Sequence, residues 1–165
     1  MTSKPWLAAA AAGFFVLATA CTTTPEPPPP PEPDTQPLPS TYLERLSADG
    51  LFAFGKSGID DLSDEGRVAL DELAARLVER PVEIVHVIGH SDRIGTPTAI
   101  HKVSSERANA VRDYLVGRGV PEDRITAVGR GSVEPVVECD GGNSREAIDC
   151  LAPNRRVEVR VRFAD

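Results

Sequence analysis

Aromatic residues are scarce in this chain of 165 residues, at 5 % of the composition. A hydrophobic content of 41 % is enough for one core, and that core must be built mainly from aliphatic side chains. Positively charged residues are also fewer than negatively charged ones, with 18 lysines and arginines against 25 aspartates and glutamates. The net charge of −7 argues against nucleic acid as a partner, since phosphates demand a basic face. The sequence shows no internal repeat, and its length predicts one domain with a tail.

The apolar run at residues 7–20 is too short for a typical membrane span, which needs about 20 residues. Behind Lys4, this Ala-rich run is typical of an export signal. The letters LATAC at residues 17–21 resemble the lipobox of bacterial lipoproteins, in which the cysteine becomes the lipidated N-terminus. We predict a signal peptide over residues 1–20 and lipidation of Cys21. The alternative is an ordinary signal peptide that is cut directly before this cysteine.

Cysteine is rare as well, with three residues in the chain. If Cys21 carries lipid, Cys139 and Cys150 remain as a pair in an oxidising compartment, where a disulfide can persist. Closing so short a loop stabilises a fold by about 2–3 kcal/mol in the chain-entropy model. We therefore predict a disulfide between Cys139 and Cys150. The alternative, two free thiols, requires a reducing compartment, which an export signal contradicts.

Proline is concentrated in one stretch, where nine prolines fall between residues 25 and 39. Because proline fixes φ and removes the amide donor, we expect this stretch to form neither helix nor sheet. An extended polyproline II chain advances about 3.1 Å per residue and acts as a semi-rigid spacer. We predict a linker over residues 21–46, with a proline-recognition ligand as the alternative use. A folded domain is predicted over residues 47–165.

Short apolar stretches alternate with longer amphipathic ones in the predicted domain. The sequence predicts strands at residues 51–54, 82–88, 125–128 and 157–163. Helical spacing predicts one helix that begins after the N-cap Ser63 and ends at Pro81, and another that begins at Thr96 and ends at Gly117. The order is βαβαβ, then a loop with the predicted disulfide, then β. It predicts an α/β sandwich in which helices pack against one mixed sheet.

Two charged residues are placed where they can meet. Asp92 follows the predicted strand at residues 82–88, and Arg107 lies on an otherwise apolar face of the second predicted helix. Arginine is almost never fully buried without a partner. One interpretation is a structural ion pair that ties the helix to the strand. The other is that each residue binds the opposite charge of a zwitterionic ligand, such as an amino acid.

Arg155 is a further candidate for contact with an anion. It has the same parity as Val157, Val159 and Val161, which predicts that it points to the inward side at the start of the last strand. Helix capping or a surface ion pair is the plainer interpretation of Arg155. Its neighbour Arg156 is expected to point outward.

Catalysis has little support in the sequence. His90, Ser91 and Asp92 are the residue types of a hydrolase triad, but neighbouring side chains on a strand point to opposite faces. His86 and His90 share one strand face, yet no third metal ligand has suitable spacing. We therefore expect no enzymatic activity, no metal and no cofactor.

Four stretches carry a recognisable order and spacing. They are LFAFGK at residues 51–56, GHSDRIG at 89–95, SSERA at 104–108 running on to GVP at 119–121, and CLAPNRRVE at 150–158. Together they resemble the OmpA-like C-terminal domain, the peptidoglycan-associating module of Gram-negative envelopes, over residues 47–163. With a lipobox leader in place of a porin barrel, the arrangement is similar to peptidoglycan-associated lipoproteins.

The resemblance implies an outer-membrane lipoprotein that binds the diaminopimelate side chain of the peptidoglycan stem peptide and tethers the membrane to the cell wall. It implies that Asp92 takes the ligand's ammonium and that Arg107 takes its carboxylate. Arg155 and the hydroxyl of Ser91 would support the same pocket. The alternative is an envelope protein-interaction module, either a partner of the Tol machinery or the wall anchor of a secretion assembly.

The chain departs from the family pattern at two places. Members often carry Tyr-Asn where this chain has Ala99 and Ile100, and a polar residue where it has Gly55. Both departures remove possible polar contacts to the ligand. Because an unmade hydrogen bond costs about 1 kcal/mol or more, we expect a reduced affinity for the ligand.

Overall fold

The computed structural model describes residues 40–53 and 55–164 of the chain. The predicted signal peptide, the predicted lipidation site Cys21 and most of the predicted linker lie outside these residues, as does Phe54 at the end of the first predicted strand. Within the described ranges, no helix is long and apolar enough to cross a membrane.

The chain alternates strands and helices. In order, the elements are β1 (Thr41–Ser47), α1 (Ala48–Leu51), α2 (Asp64–Val78), β2 (Val82–Gly89), α3 (Pro97–Gly117), β3 (Ile125–Gly129), α4 (Arg145–Cys150) and β4 (Arg156–Phe163). Both long helices begin where the sequence predicts. The hydroxyl oxygen of Ser63 accepts a hydrogen bond from the amide of Gly66, and that of Thr96 accepts one from the amide of Ala99. Each cap satisfies an amide that has no partner inside its helix.

The four strands form one mixed sheet, as predicted, in the order β1-β4-β2-β3. Strand β4 is antiparallel to both β1 and β2, whereas β2 and β3 are parallel. The core is largely aliphatic and includes Leu70, Leu73 and Leu77 of α2, Val111 and Leu115 of α3, and Val85, Val87, Val157 and Val159 of the sheet. The opposite face of the sheet is more open to solvent, because its side chains include exposed Leu43, His86, Val128, Arg160 and Arg162.

The predicted strand at residues 51–54 is wrong. Ala48–Leu51 is a short helix, and Phe52 makes only an isolated antiparallel bridge to Leu62. The first strand is Thr41–Ser47, which pairs along its whole length with β4 and falls almost entirely inside the segment assigned to the linker. The folded domain therefore begins earlier than predicted. Pairing with a strand more than a hundred residues away is a non-local interaction that a local pattern does not reveal.

The predicted disulfide between Cys139 and Cys150 is present. It closes the loop that contains α4 and precedes β4. Arg93 fastens this loop to the end of β2, because its guanidinium donates to the carbonyl oxygens of Cys139 (2.9 Å) and Gly142 (3.3 Å). The disulfide loop is thus attached to the segment that carries Asp92.

Arg156 does not point into solvent as expected. It lies on the sheet face opposite to Val157, but only 7 % of it is exposed. Its Nε donates to Glu158 at 2.9 Å, and its Nη1 and Nη2 each approach the carbonyl oxygen of Glu134 at 3.3 Å. The segment around Glu134 covers this end of the sheet, so a residue of outward parity is nevertheless buried.

Candidate ligand-binding site

A cavity of about 280 Å³ brings the predicted ligand-binding residues together. Ser91, Asp92, Arg107 and Arg155 all line it, although they come from three separate parts of the sequence. Asp49, which the sequence analysis did not single out, lines it as well. Two carboxylates and two guanidinium groups therefore share one small space.

Close packing between α3 and the sheet places Arg107 near the end of β2. A Cβ atom on Gly89 would lie 2.0 Å from the carbonyl oxygen of Ser104, so only glycine permits this approach. Gly129 on β3 is in the same situation, since a Cβ there would lie 2.3 Å from the hydroxyl of Ser105. These contacts lie less than one helical turn before Arg107, and they bring that residue to the cavity.

The end of β2 is held in place by hydrogen bonds that continue beyond the strand. The amide of His90 donates to the carbonyl oxygen of Arg156, and the amide of Ser91 to that of Gly131, both at 2.8 Å. Asp92 then turns the chain, because its Oδ1 accepts a hydrogen bond from the amide of Ile94 at 2.9 Å. Asp92 is 7 % exposed, and its carboxylate is held by the backbone amide of Ile94, two residues further along the chain.

Arg155 is the ion-pair partner of Asp92. Its Nη1 donates to Oδ2 of Asp92 at 2.8 Å and to the carbonyl oxygen of Ile148 at 3.0 Å. Its Nε and Nη2 donate to the carboxylate of Asp49 at distances from 2.7 to 3.1 Å. Hydrogen bonds from Arg155 to Asp49, followed by those to Asp92, raise the pKa of the guanidinium. Arg155 therefore supports the pocket by holding two carboxylates.

Arg107 has a different environment. It is 6 % exposed, its Nε donates to the carbonyl oxygen of Lys56 at 3.2 Å, and its guanidinium carbon lies 5.7 Å from the centre of the Phe52 ring. Burial lowers the pKa of Arg107, and the nearby charge of Arg155 acts in the same direction, whereas Asp49 and Asp92 oppose the shift. Its Nη1 is buried and makes no hydrogen bond within the described residues. A buried donor without a partner is costly, so this atom is suited to an acceptor from outside.

No ion pair joins Asp92 to Arg107 among residues 40–53 and 55–164, so the structural ion pair considered for these two residues is not formed. Asp92 and Arg107 line the same cavity but offer different groups to a ligand. Each oxygen of Asp92 accepts one hydrogen bond, which leaves lone pairs for a ligand donor. Arg107 keeps a donor for a ligand acceptor. The cavity can therefore hold a small group that carries both a cation and an anion.

Ser91 is 8 % exposed, and within the described part of the chain its hydroxyl has no hydrogen-bond partner. It lines both this cavity and a neighbouring cleft of about 570 Å³ that extends toward the disulfide loop. The hydroxyl is therefore available to a ligand at the border between the two spaces.

The departures from the family pattern have different consequences. Gly55 lines the cavity and has φ +72°, a left-handed conformation that glycine adopts without strain. A Cβ atom there would meet no atom within 4 Å, so this side of the cavity is open next to the backbone of Gly55. Ala99 and Ile100 are not part of the lining. Ile100 is instead 9 % exposed and packs beside Gly95 and Gly131.

Asp49 is the residue of the site that sequence reasoning missed. It lies in α1, a four-residue helix between β1 and the segment that carries Lys56, and no motif marks it. Its partner Arg155 is 106 residues away along the chain. Only the antiparallel pairing of β1 with β4 brings the two together, so the one available signal was an acid at the start of a short apolar stretch.

The histidines are not arranged as metal ligands. In the described part of the chain, no group of three or more His, Cys, Asp and Glu side chains could hold a metal ion. Nδ1 of His86 lies 2.8 Å from the hydroxyl of Thr126, and His90 is 1 % exposed. Neither side chain lines the cavity.

The fold and the site define an α/β domain with a charged cavity at the end of its central strand pair. The model of the OmpA family matches residues 51–149, and the chain belongs to this family. Outer membrane protein A of Yersinia pseudotuberculosis is 44 % identical over 135 residues, which cover 79 % of this chain and 37 % of that protein. Outer membrane protein A of Shimwellia blattae is 44 % identical over 122 residues, covering 71 % and 49 %. The chain thus spans less than half the length of these curated relatives.

Solved structures of several other proteins are similar to this one. The cell wall anchor of the type VI secretion system from Pseudomonas aeruginosa has a TM-score of 0.60 at 32 % identity, covering 75 % of this chain and 82 % of that one. The periplasmic domain of Helicobacter pylori MotB has a TM-score of 0.61 at 17 % identity, covering 78 % and 80 %. The peptidoglycan-associated lipoprotein from Burkholderia pseudomallei has a TM-score of 0.55 at 24 % identity, covering 73 % and 89 %. The last two share the fold with this chain.

Proposed function

We propose that this chain is an outer-membrane lipoprotein whose folded domain binds peptidoglycan noncovalently and tethers the outer membrane to the cell wall. Membership of the OmpA family supports a peptidoglycan-associated role in the envelope. The observation that carries the proposal is the buried Nη1 of Arg107, which has no partner among the described residues and belongs to the same cavity as Asp92.

The proposed ligand is the diaminopimelate side chain of the stem peptide, which ends in an ammonium and a carboxylate on one carbon. Asp92 receives the ammonium, and Arg107 receives the carboxylate through Nη1. Because both residues are largely withdrawn from water, a charge that pairs with either of them is attracted more strongly than at an exposed site. The hydroxyl of Ser91 is the available neutral hydrogen-bonding group, and Arg155 keeps Asp92 in position.

The relatives support the location and the tether. Two curated relatives that match 79 % and 71 % of this chain are named outer membrane protein A, and a solved relative at 32 % identity is described as a cell wall anchor. At Cys21, we propose lipidation as the link to the membrane, because stable anchoring takes two lipid signals and a fully acylated lipoprotein cysteine supplies more. The proline-rich segment then spaces the domain from the membrane.

We propose binding without cleavage. Both oxygens of Asp92 accept hydrogen bonds, one from an amide and one from Arg155, and this suits a binding carboxylate better than a general acid. Incubation of the protein with sacculi is expected to release no soluble muropeptides. Time-dependent release would contradict the proposal.

A sedimentation experiment with purified sacculi tests the proposed ligand. We expect the protein to pellet with sacculi that contain diaminopimelate and to stay in solution with sacculi that contain lysine at this position, since lysine lacks the carboxylate that Arg107 binds. Asp92→Asn and Arg107→Ala should each abolish pelleting while the circular dichroism spectrum is unchanged.

Matched controls lie outside the cavity. Asp71→Ala removes an acid that pairs with Arg118 at 3.0 Å, and Arg112→Ala removes an arginine from the same helix as Arg107. Both controls should pellet like the wild type. If Asp92→Asn and Arg107→Ala also pellet normally, the two residues are only structural and the proposed site is wrong.

A second candidate function is the wall anchor of a larger protein assembly. The observation that favours it is the relative from a secretion system, which covers 75 % of this chain. Cross-linking in cells separates the two functions. A stable protein partner that persists in the Arg107→Ala variant indicates an assembly component, whereas its absence favours a simple tether.

A further inference from the structure

We propose that Asp49 is a positioning residue of the ligand cavity, which acts through Arg155 to hold the carboxylate of Asp92 in its binding orientation. This inference rests on the proposed function. Asp49 and Arg155 meet with three contacts between 2.7 and 3.1 Å, made by Nε and Nη2 of the guanidinium. Nη1 of the same group is thereby left for Asp92 and for the carbonyl oxygen of Ile148.

The geometry of the guanidinium explains how Asp49 acts at a distance. The group is planar and rigid, with its donors in a fixed fork. When Asp49 binds the edge formed by Nε and Nη2, the direction of Nη1 follows. Nη1 donates to Oδ2 of Asp92 at 2.8 Å, while Oδ1 is held by the amide of Ile94 at 2.9 Å. Both oxygens of Asp92 are therefore fixed, one by the amide of Ile94 and the other by Arg155, which Asp49 orients.

Backbone contacts also hold Asp49 and Arg155 next to each other. The amide of Ala48, directly before Asp49, donates to the carbonyl oxygen of Arg155 at 2.9 Å. The next residue, Arg156, pairs with Ser47 at the end of β1. Asp49 and Arg155 thus meet through both backbone and side chain at the junction of two paired strands. This junction is the structural connection between the N-terminal edge strand and the ligand cavity.

Asp49 also sets the charge around Asp92. Without it, Asp92 and Arg155 form a neutral pair that attracts an ammonium weakly. With it, the three side chains carry one net negative charge, and they line the same cavity as Arg107. The cavity then has one negative and one positive region, as a zwitterionic ligand requires.

The contact between Asp49 and Arg155 is expected to matter more for binding than for stability. The side chain of Asp49 is 45 % exposed, and ion pairs with an exposed partner contribute about 0–1 kcal/mol to folding. A large loss of binding with little change in the melting temperature therefore identifies a role in the site.

The experiment uses Asp49→Ala, Asp49→Glu and the control Asp71→Ala. The control removes an aspartate of equal side-chain exposure, 45 %, that also pairs with an arginine. We expect Asp49→Ala to weaken binding to sacculi by about five- to tenfold, the effect of one hydrogen bond of ordinary strength. Asp49→Glu, which keeps the carboxylate, should restore most of the binding, and Asp71→Ala should bind normally.

Nuclear magnetic resonance of the free protein tests positioning directly. In Asp49→Ala, the Nε–H signal of Arg155 should shift and the amide of Ile94 should exchange faster with solvent, since Asp92 is no longer held on both sides. Weaker binding with both signals unchanged would overturn the inference, because Asp49 would then contact the ligand itself. Unchanged binding would overturn it as well.

The proposed function and this inference fail in different ways. If the wild type does not bind sacculi, the proposed ligand is wrong. The signals of Arg155 and Ile94 still decide whether Asp49 positions Asp92, because they are measured without ligand. Unchanged signals in Asp49→Ala would then overturn the inference independently.

Discussion

Nη1 of Arg155 donates to Oδ2 of Asp92 at 2.8 Å, across a separation of 63 residues. The sequence suggested Arg107 as the partner of that aspartate. In the structure, Arg155 is the partner of Asp92, and Arg107 has a different role. Each guanidinium nitrogen of Arg155 has a protein acceptor and Arg155 orients Asp92, while Arg107 keeps a buried donor without a protein partner in the described part of the chain. An arginine whose donors are bound by the protein is suited to holding other residues in place, whereas an arginine with a free buried donor is suited to binding a ligand.

Arg107→Met is expected to separate stability from binding. Methionine keeps an unbranched side chain beside Phe52, and it removes a buried donor that has no partner among the described residues. Relief of that unsatisfied group should raise the free energy of unfolding by about 1 kcal/mol, while binding to sacculi is lost. Urea denaturation and sedimentation measure the two effects. A strongly destabilised variant would show that Arg107 is primarily structural.

His90 is expected to make the domain less stable as the pH falls. It is 1 % exposed, and neither ring nitrogen has a partner within residues 40–53 and 55–164. Burial, followed by the charge of Arg156, lowers the pKa of His90 below its ordinary 6.5, although Glu158 and Glu134 oppose the shift. The unfolded chain therefore takes up a proton near that pH, and the folded chain does so only at lower pH. Stability is fully present above this range and declines below it.

The variant His90→Phe tests this dependence. Between about pH 7 and pH 5, the free energy of unfolding of the wild type should decrease. His90 accounts for at most about 1.4 kcal/mol of this decrease for each pH unit. The loss should be smaller in His90→Phe, and urea denaturation at several pH values measures the difference. Equal slopes for the two proteins would mean that His90 is not kept neutral by burial.

Glu158 is expected to protect the domain against acid. Burial alone would raise its pKa, but hydrogen bonds from Arg160 (2.7 Å) and Arg156 (2.9 Å) outweigh this effect and lower the pKa from 4.5 to about 2. The carboxylate therefore contributes stability that is fully present above about pH 4.5 and is lost as the pH falls toward 2. Glu158→Gln should cost about 3 kcal/mol, because Arg156 stays buried without its charge partner.

An exposed ion pair on the same sheet is the control for Glu158. Glu83 pairs with Arg162 at 2.5 Å, and both side chains are about half exposed, at 46 % and 56 %. Glu83→Gln should change the free energy of unfolding by less than about 1 kcal/mol. Similar losses for Glu158→Gln and Glu83→Gln would contradict the prediction.

Removal of the disulfide by Cys139→Ser and Cys150→Ser is expected to lower the free energy of unfolding by about 2–3 kcal/mol, because the reduced chain gains entropy when it unfolds. The linked residues are 11 apart in sequence. Mass spectrometry of the exported protein under nonreducing conditions checks the bond itself. Two alkylatable thiols would show that the bond is not formed in the cell.

The sequence alone was sufficient where structure depends on neighbouring residues. Ser63 and Thr96 predicted the beginnings of the two long helices, since a cap acts within four residues of itself. Apolar stretches predicted the last three strands, although their ends differ by one residue from those observed. The motifs around Asp92, Arg107 and Arg155 identified residues that the fold brings to one cavity. The cysteine count led to the disulfide.

Only the tertiary structure decided how these residues are connected. Strand β1 is a strand because β4 lies beside it, and Arg156 is buried because the segment around Glu134 covers it. The same long-range pairing brings Asp49 to Arg155, which then holds Asp92, while Nη1 of Arg107 has no hydrogen-bond partner in the described part of the chain. Residue types determined which charges the site contains. Contacts between distant segments determined which of those charges are satisfied and which remain for a ligand.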